Sequence, residues 1–255
     1  MKDSQAYSDF YEEIGAKYPE SAQARESRGM GTHYWTVFQE LTPYAKKGLS
    51  LLDVGCNDGV FSIPYAECGG NVVGIDISKS LIEKAQLDAQ ALGVGDRCLF
   101  VQSDAESLHV DRKFDIVLFS EVLEHLRNPS LALKAISKHM KEGAVLLLTT
   151  PTPIHHLRYF VNILTRKKLL ELQYQDSEKN RLRNFGISPH LYRHDGYYPL
   201  ALVEYVESFG FQCEKMYTMN FPLPMGLGEL SLRRVPILKL LGFRNFLILR
   251  KKPQA

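Results

Sequence analysis

The chain has 255 residues, 45% hydrophobic and 24% charged, which is enough for one α/β domain with a substantial core. Lys and Arg number 31 against 29 Asp and Glu, a net charge of +2 that excludes a protein mainly coating nucleic acid, and Cys56, Cys68, Cys98 and Cys213 lack the paired spacing of a zinc site or disulfide framework. The N-terminal "MKDSQAYSDFYEEIG" has no apolar core and no apolar run approaches the roughly 18 residues of a membrane span, so a soluble cytoplasmic chain with reduced thiols is expected.

Residues 1–47 are polar and aromatic. Within them, "SDFYEEIGAKY" and "HYWTVFQELTPYAKK" have helical spacing and predict a cover over the core. From Leu49, short apolar runs alternate with helix-like stretches. "SLLDVG" reads as a strand, "VFSIPYAECG" as a helix, "NVVGIDI" as a strand and "SKSLIEKAQLDAQALG" as an amphipathic helix. "CLFVQSD" and "FDIVLFSEV" follow as strands, "NPSLALKAISKHMKEG" as a helix and "AVLLLTTP" as a strand. This alternation predicts βαβ units and a mainly parallel sheet with helices on both faces. The strands are apolar throughout, as sheet buried on both sides requires. Residues 154–199 lose the regularity and predict an insertion, or lid, after the fifth strand. "LALVEYVESFG" then reads as a helix closed by Gly210, and "FQCEKMYTMN" and "NFLILRKK" as the last two strands.

Three strand ends carry the chemistry. After the first strand, Gly55 and Gly59 let backbone amides approach a ligand at a helix N-terminus, with Asp53 just before the turn. Asn57 stands where a dinucleotide fingerprint has its second glycine, so the pattern is not that of a pyrophosphate cradle. The second strand ends on Asp76, 23 positions after Asp53, near the offset at which an acid meets a ribose diol. Ser78 is the better N-cap for the following helix, which leaves Asp76 free to bind. The third strand ends on Asp104, where an adenine amino group can be read.

With these residues in place, the chain resembles the class I S-adenosylmethionine-dependent methyltransferases. "LLDVGCNDG" is similar to the family's first motif, with Asn57 for the more usual glycine. "VVGIDIS" matches the acid that follows, "SDAESL" the adenine-side acid, "FDIVLFSEVLEHLRNP" the fourth strand and "KEGAVLLLTTP" the fifth. The resemblance implies a Rossmann-like, seven-stranded, mostly parallel sheet and S-adenosylmethionine as cofactor. It further implies that Gly55 and its neighbours Asn57 and Gly59 take the methionine end, Asp76 with Ile77 the ribose, Asp104 and Ala105 the adenine, and Ser120 with Glu121 the sulfonium side. Asparagine tolerates left-handed backbone angles, so Asn57 narrows the turn without abolishing binding.

Methyl transfer to a hydroxyl needs alignment and the removal of one proton, for which histidine is the usual tool near neutral pH. His125, just past the fourth strand, is the first candidate, and His156 after the fifth strand the alternate, with His155 beside it. His125 can equally serve only to fix its loop. Glu121, Glu124 and His125, with His190 or His194, can also be read as a divalent metal set, a reading not favoured here. Tyr34, Trp35, Tyr159, Tyr192, Tyr197 and Tyr198 are candidates for lining an acceptor pocket or for plain packing. "LRYFVNILTRKKLLELQ" suits a solvated helix, or peripheral contact with a membrane surface. The expected function is methylation at oxygen of a small hydroxylated metabolite. The rivals are a metal-dependent RNA 2′-O-methyltransferase and a cofactor-binding scaffold without catalysis.

Overall fold

The computed structural model describes residues 32–152, 197–219 and 244–253, together with Asp9, Glu12, Phe221–Pro222 and Glu229–Leu230. His155, His156, Tyr159, His190, Tyr192 and His194 lie outside these residues, as do most of the 154–199 segment, including its basic stretch, and most of 1–31.

Helix α1 (Thr32–Ala45) precedes β1 (Ser50–Val54), α2 (Ser62–Glu67), β2 (Asn71–Asp76), α3 (Lys79–Ala91) and β3 (Cys98–Gln102). Then come β4 (Phe114–Ser120), α4 (Pro129–Lys138), β5 (Met140–Pro151), α5 (Pro199–Glu207), β6 (Phe211–Met219) and β7 (Arg244–Lys251). The seven strands form one sheet in the order β3-β2-β1-β4-β5-β7-β6. All neighbouring pairs from β3 to β5 are parallel, and β7 runs antiparallel between β5 and β6.

Successive residues of each strand feed opposite faces, which is why the strands show no alternation in sequence. Leu51, Ile116 and Leu147 join Val37 and Leu41 of α1, Tyr65 of α2 and Ile82 and Ala85 of α3 in one buried cluster. Leu52, Val117 and Leu148 join Leu133 and Ile136 of α4 and Leu202 and Val206 of α5 in the other. Burying each such side chain contributes about 1.5–3 kcal/mol.

The largest boundary difference from the sequence expectation lies at the end of α4. Helix α4 ends at Lys138 instead of running on to Gly143, and β5 begins at Met140. His139 terminates the helix with its Nδ1 at 2.8 Å from the Ala135 carbonyl, and Met140 then pairs with Phe114 across a register shift in β4. The tertiary pairing claims residues whose local pattern is helical.

The strand order reverses between β1 and β4, so the C-terminal ends of these two strands flank the crevice where open α/β sheets hold ligands. The 153–196 segment leaves and rejoins the described fold beside it. Tyr197 N donates to the Pro151 carbonyl at 2.9 Å, and Asn245 Nδ2 donates to both Pro151 O and Tyr197 O, so β7 clasps the two ends together.

Candidate functional site

At the end of β1 the chain turns through three left-handed residues, Gly55 (φ 76°), Asn57 (φ 53°) and Gly59 (φ 83°). Gly55 N and Cys56 N both donate to the Ile75 carbonyl, at 2.8 and 2.9 Å, which pins the turn to β2. Asn57 adopts the angle that asparagine was expected to tolerate. Its side-chain Oδ1 accepts from Asp58 N at 2.6 Å, a local bond that supports the conformation. Beneath the turn, Asp53 is buried and accepts from Ser62 Oγ at 2.7 Å.

Asp76 is also engaged within the fold. Its Oδ2 accepts from Asn57 N at 3.0 Å and its Oδ1 from Ser78 N at 2.9 Å, so the carboxylate joins the first turn to the start of α3. A carboxylate has about four acceptor sites, so one carboxylate can serve fold and ligand together. Ser78 caps α3 as expected, accepting from Leu81 N. Sequence reading missed Glu12, whose carboxylate spans Lys79 N (2.6 Å) and Ser80 N (2.8 Å) at the same helix end. An acid suits that end of the helix dipole. No local pattern could pair residues so far apart. Ile77 offers its carbonyl to Gln102 Nε2 at 3.1 Å.

Asp104 follows β3 and accepts from Glu106 N at 2.9 Å, starting a short turn at Ala105. Its other oxygen lies 3.5 Å from Arg127 Nη2. Glu106 in turn accepts from Arg127 N (2.7 Å) and Asn128 N (3.0 Å), so the segment after β4 is docked onto the segment after β3. Arg127 and Glu106 are further residues that the motifs alone did not single out.

Past β4, Ser120 Oγ is 2.9 Å from Thr149 Oγ1 and Glu121 N donates to Thr149 O at 3.0 Å. Glu121 has φ 56°, left-handed without being glycine. Its Oε2 accepts from Arg244 Nε at 2.8 Å, across from the first residue of β7. Glu124 is 5% exposed, accepts from Thr150 Oγ1 at 3.0 Å, and has its Oε1 3.8 Å from His125 Nε2. Among the described residues no three His, Cys, Asp or Glu side chains converge as a metal set. Glu121 is bonded instead to Arg244, and the further ligands considered from sequence, His190 and His194, lie outside the described residues.

Burial pushes the Asp53 carboxyl up to about 7, against the hydrogen bond from Ser62 and aided by Asp76 nearby. Burial, with Glu121 next, pushes Glu124 up to about 8. Both values lie above those of an unfolded chain, so the folded state binds these protons more tightly. This contribution to stability is complete below about pH 4 and is lost as pH rises through 7 and 8. The urea midpoint is expected to fall between pH 5 and pH 8, and Asp53→Asn to flatten part of that slope. An unchanged slope in the variant would remove Asp53 from the account.

The protein family described as "Methyltransferase domain" matches residues 28–215. Two curated relatives are ubiquinone biosynthesis O-methyltransferases. That of Rickettsia conorii is 36% identical over 102 residues, covering 40% of this chain and 35% of the relative. That of Colwellia psychrerythraea is 27% identical over 166 residues, 65% of this chain and 61% of the relative. The matched segments thus span less than two thirds of these relatives. Among solved structures, magnesium protoporphyrin IX methyltransferase from Synechocystis PCC 6803 with bound SAH superposes with a TM-score of 0.54 at 20% identity, covering 86% of this chain and 84% of that one.

Proposed function

The chain belongs to the methyltransferase domain family, and on that footing we propose that it moves a methyl group from S-adenosylmethionine to an oxygen of a small hydroxylated metabolite. The observation that carries the reading is the left-handed turn Gly55–Gly59 tied through Asn57 N to the Asp76 carboxylate at the point where strand order reverses. When bound, the cofactor supplies a methyl group on a positively charged sulfur. The turn over Asp53 would hold its methionine end, Asp76 and Ile77 its ribose, Asp104 and Ala105 its adenine, and Ser120 and Glu121 would face the sulfonium. Asp76 suits a ribose because an ionised carboxylate is an acceptor-only group that hydroxyls can donate to. The names of the curated relatives support oxygen as the methylated atom.

The acceptor hydroxyl must lose its proton as the methyl arrives, and His125 is the residue assigned to take it. Its side chain is 24% exposed, and its Nε2 lies 3.8 Å from the Glu124 carboxylate. His156 remains the alternate from sequence. No described helix is long and apolar enough to cross a membrane. A cytoplasmic setting with a small-molecule acceptor is part of the same proposal.

Calorimetry with S-adenosylmethionine, followed by mass spectrometry for a methylated catechol and equimolar S-adenosylhomocysteine, tests the reading. No cofactor binding at millimolar concentration would overturn it. His125→Ala is expected to bind the cofactor as the wild type does and to lose about 100-fold or more in kcat, the range of general base catalysis. An unchanged kcat would return His125 to fixing its loop.

A further inference from the structure

Arg244 is the first residue of β7 and pairs with Pro151 at the end of β5 and Met219 at the end of β6. It therefore sits on the ligand edge of the sheet, on the side of β4 away from the turn, Asp76 and Asp104. Its Nε is held by Glu121, which fixes the plane of the guanidinium. The two terminal nitrogens make no hydrogen bond among the described residues, and the side chain is 35% exposed. A guanidinium carries five N–H donors in a rigid fork matched to carboxylates, and most of that fork is unused here.

Two features indicate that the arrangement is kept for use. Glu121 stands at φ 56°, a conformation that costs a non-glycine residue about 1–2 kcal/mol, and its Oε1 is buried with no hydrogen-bond partner among the described residues. Strain of this kind gathers at ligand sites. Next to the pair, burial and then Glu121 push the Glu124 carboxyl up, so Glu124 adds less negative charge beside Arg244 than an ordinary glutamate would.

We propose that Arg244 recognises a carboxylate on the acceptor, gripping it with the terminal nitrogens while Glu121 holds the guanidinium from behind. This rests on the methyl-transfer reading and narrows it to hydroxylated acceptors that are also carboxylic acids. Arg244 thereby selects which molecule is methylated and takes no part in the transfer itself.

The test compares 3,4-dihydroxybenzoate with catechol, which share ring and hydroxyls and differ by the carboxylate. Each is titrated calorimetrically into the full chain with and without S-adenosylhomocysteine. The wild type is expected to bind the acid at least about tenfold tighter than catechol, and Arg244→Gln to remove the difference while binding S-adenosylhomocysteine as before. Arg244→Lys keeps part of the preference, since it restores charge without the fork. Equal affinity for the two ligands in the wild type, an equal loss of both in Arg244→Gln, or no binding of the acid overturns the proposal. Failure of S-adenosylhomocysteine to bind strikes the methyl-transfer reading instead, and the comparison without it still reports on Arg244.

Discussion

Asp76→Ala is expected to weaken S-adenosylmethionine binding by more than about 100-fold while leaving the fold intact. A carboxylate accepting from both hydroxyls of a ribose makes two charge-assisted hydrogen bonds, each contributing about 1.5–3 kcal/mol, and about 1.4 kcal/mol is a factor of ten. The same carboxylate fixes Asn57 N and Ser78 N, so its removal also loosens the turn that faces the ligand. The fold should tolerate the loss. Burial already pushes the Asp76 carboxyl up despite its amide partners, so the ionised group is a burden on the folded chain as well as a tie. Ser78 still caps α3 through its hydroxyl. Isothermal calorimetry with circular dichroism reads both halves; undiminished affinity would remove Asp76 from the site.

Gly55→Ala is the second large effect, this time on stability. A Cβ at this position would lie 2.3 Å from Val122 Cγ2, and the residue stands at φ 76°. The backbone angle costs about 1–2 kcal/mol for alanine and the crowding about 1–3 kcal/mol. A total of about 3 kcal/mol should lower the melting temperature by roughly 6–12 °C. The two causes separate cleanly. Introduced into Val122→Ala, where the crowding is relieved and the backbone strain is not, Gly55→Ala should cost about half as much as in the wild type. A Gly55→Ala protein within about 0.5 kcal/mol of wild type in urea would show that the turn moves freely. Gly55 follows β1 and Val122 follows β4, so the two lie side by side across the reversal of strand order.

Much of this site was legible in sequence because its parts are local. An apolar run ending in Asp53, glycines where φ is positive, and acids closing the next two strands are each set within a few residues. Asn57 was readable as a left-handed position for the same reason. Asp76 was read only in part: its place was evident, but its partner Asn57 N belongs to a turn that must first fold against β2. The end of α4 was misplaced because pairing of Met140 with Phe114 outweighs a helical pattern.

By itself the sequence determined the succession of strands and helices, the glycine turn and the acids at the strand ends, since apolar periodicity and backbone angles act over one or two turns of chain. Tertiary structure alone decided that Glu121 meets Arg244, 123 positions away, that Glu12 reaches Ser80 across 68, and that Asn245 joins Pro151 to Tyr197. The reason is register. Strands buried on both faces carry no alternation to specify their alignment, so which side chains meet at the sheet edge is settled only when the helices pack and β7 enters between β5 and β6.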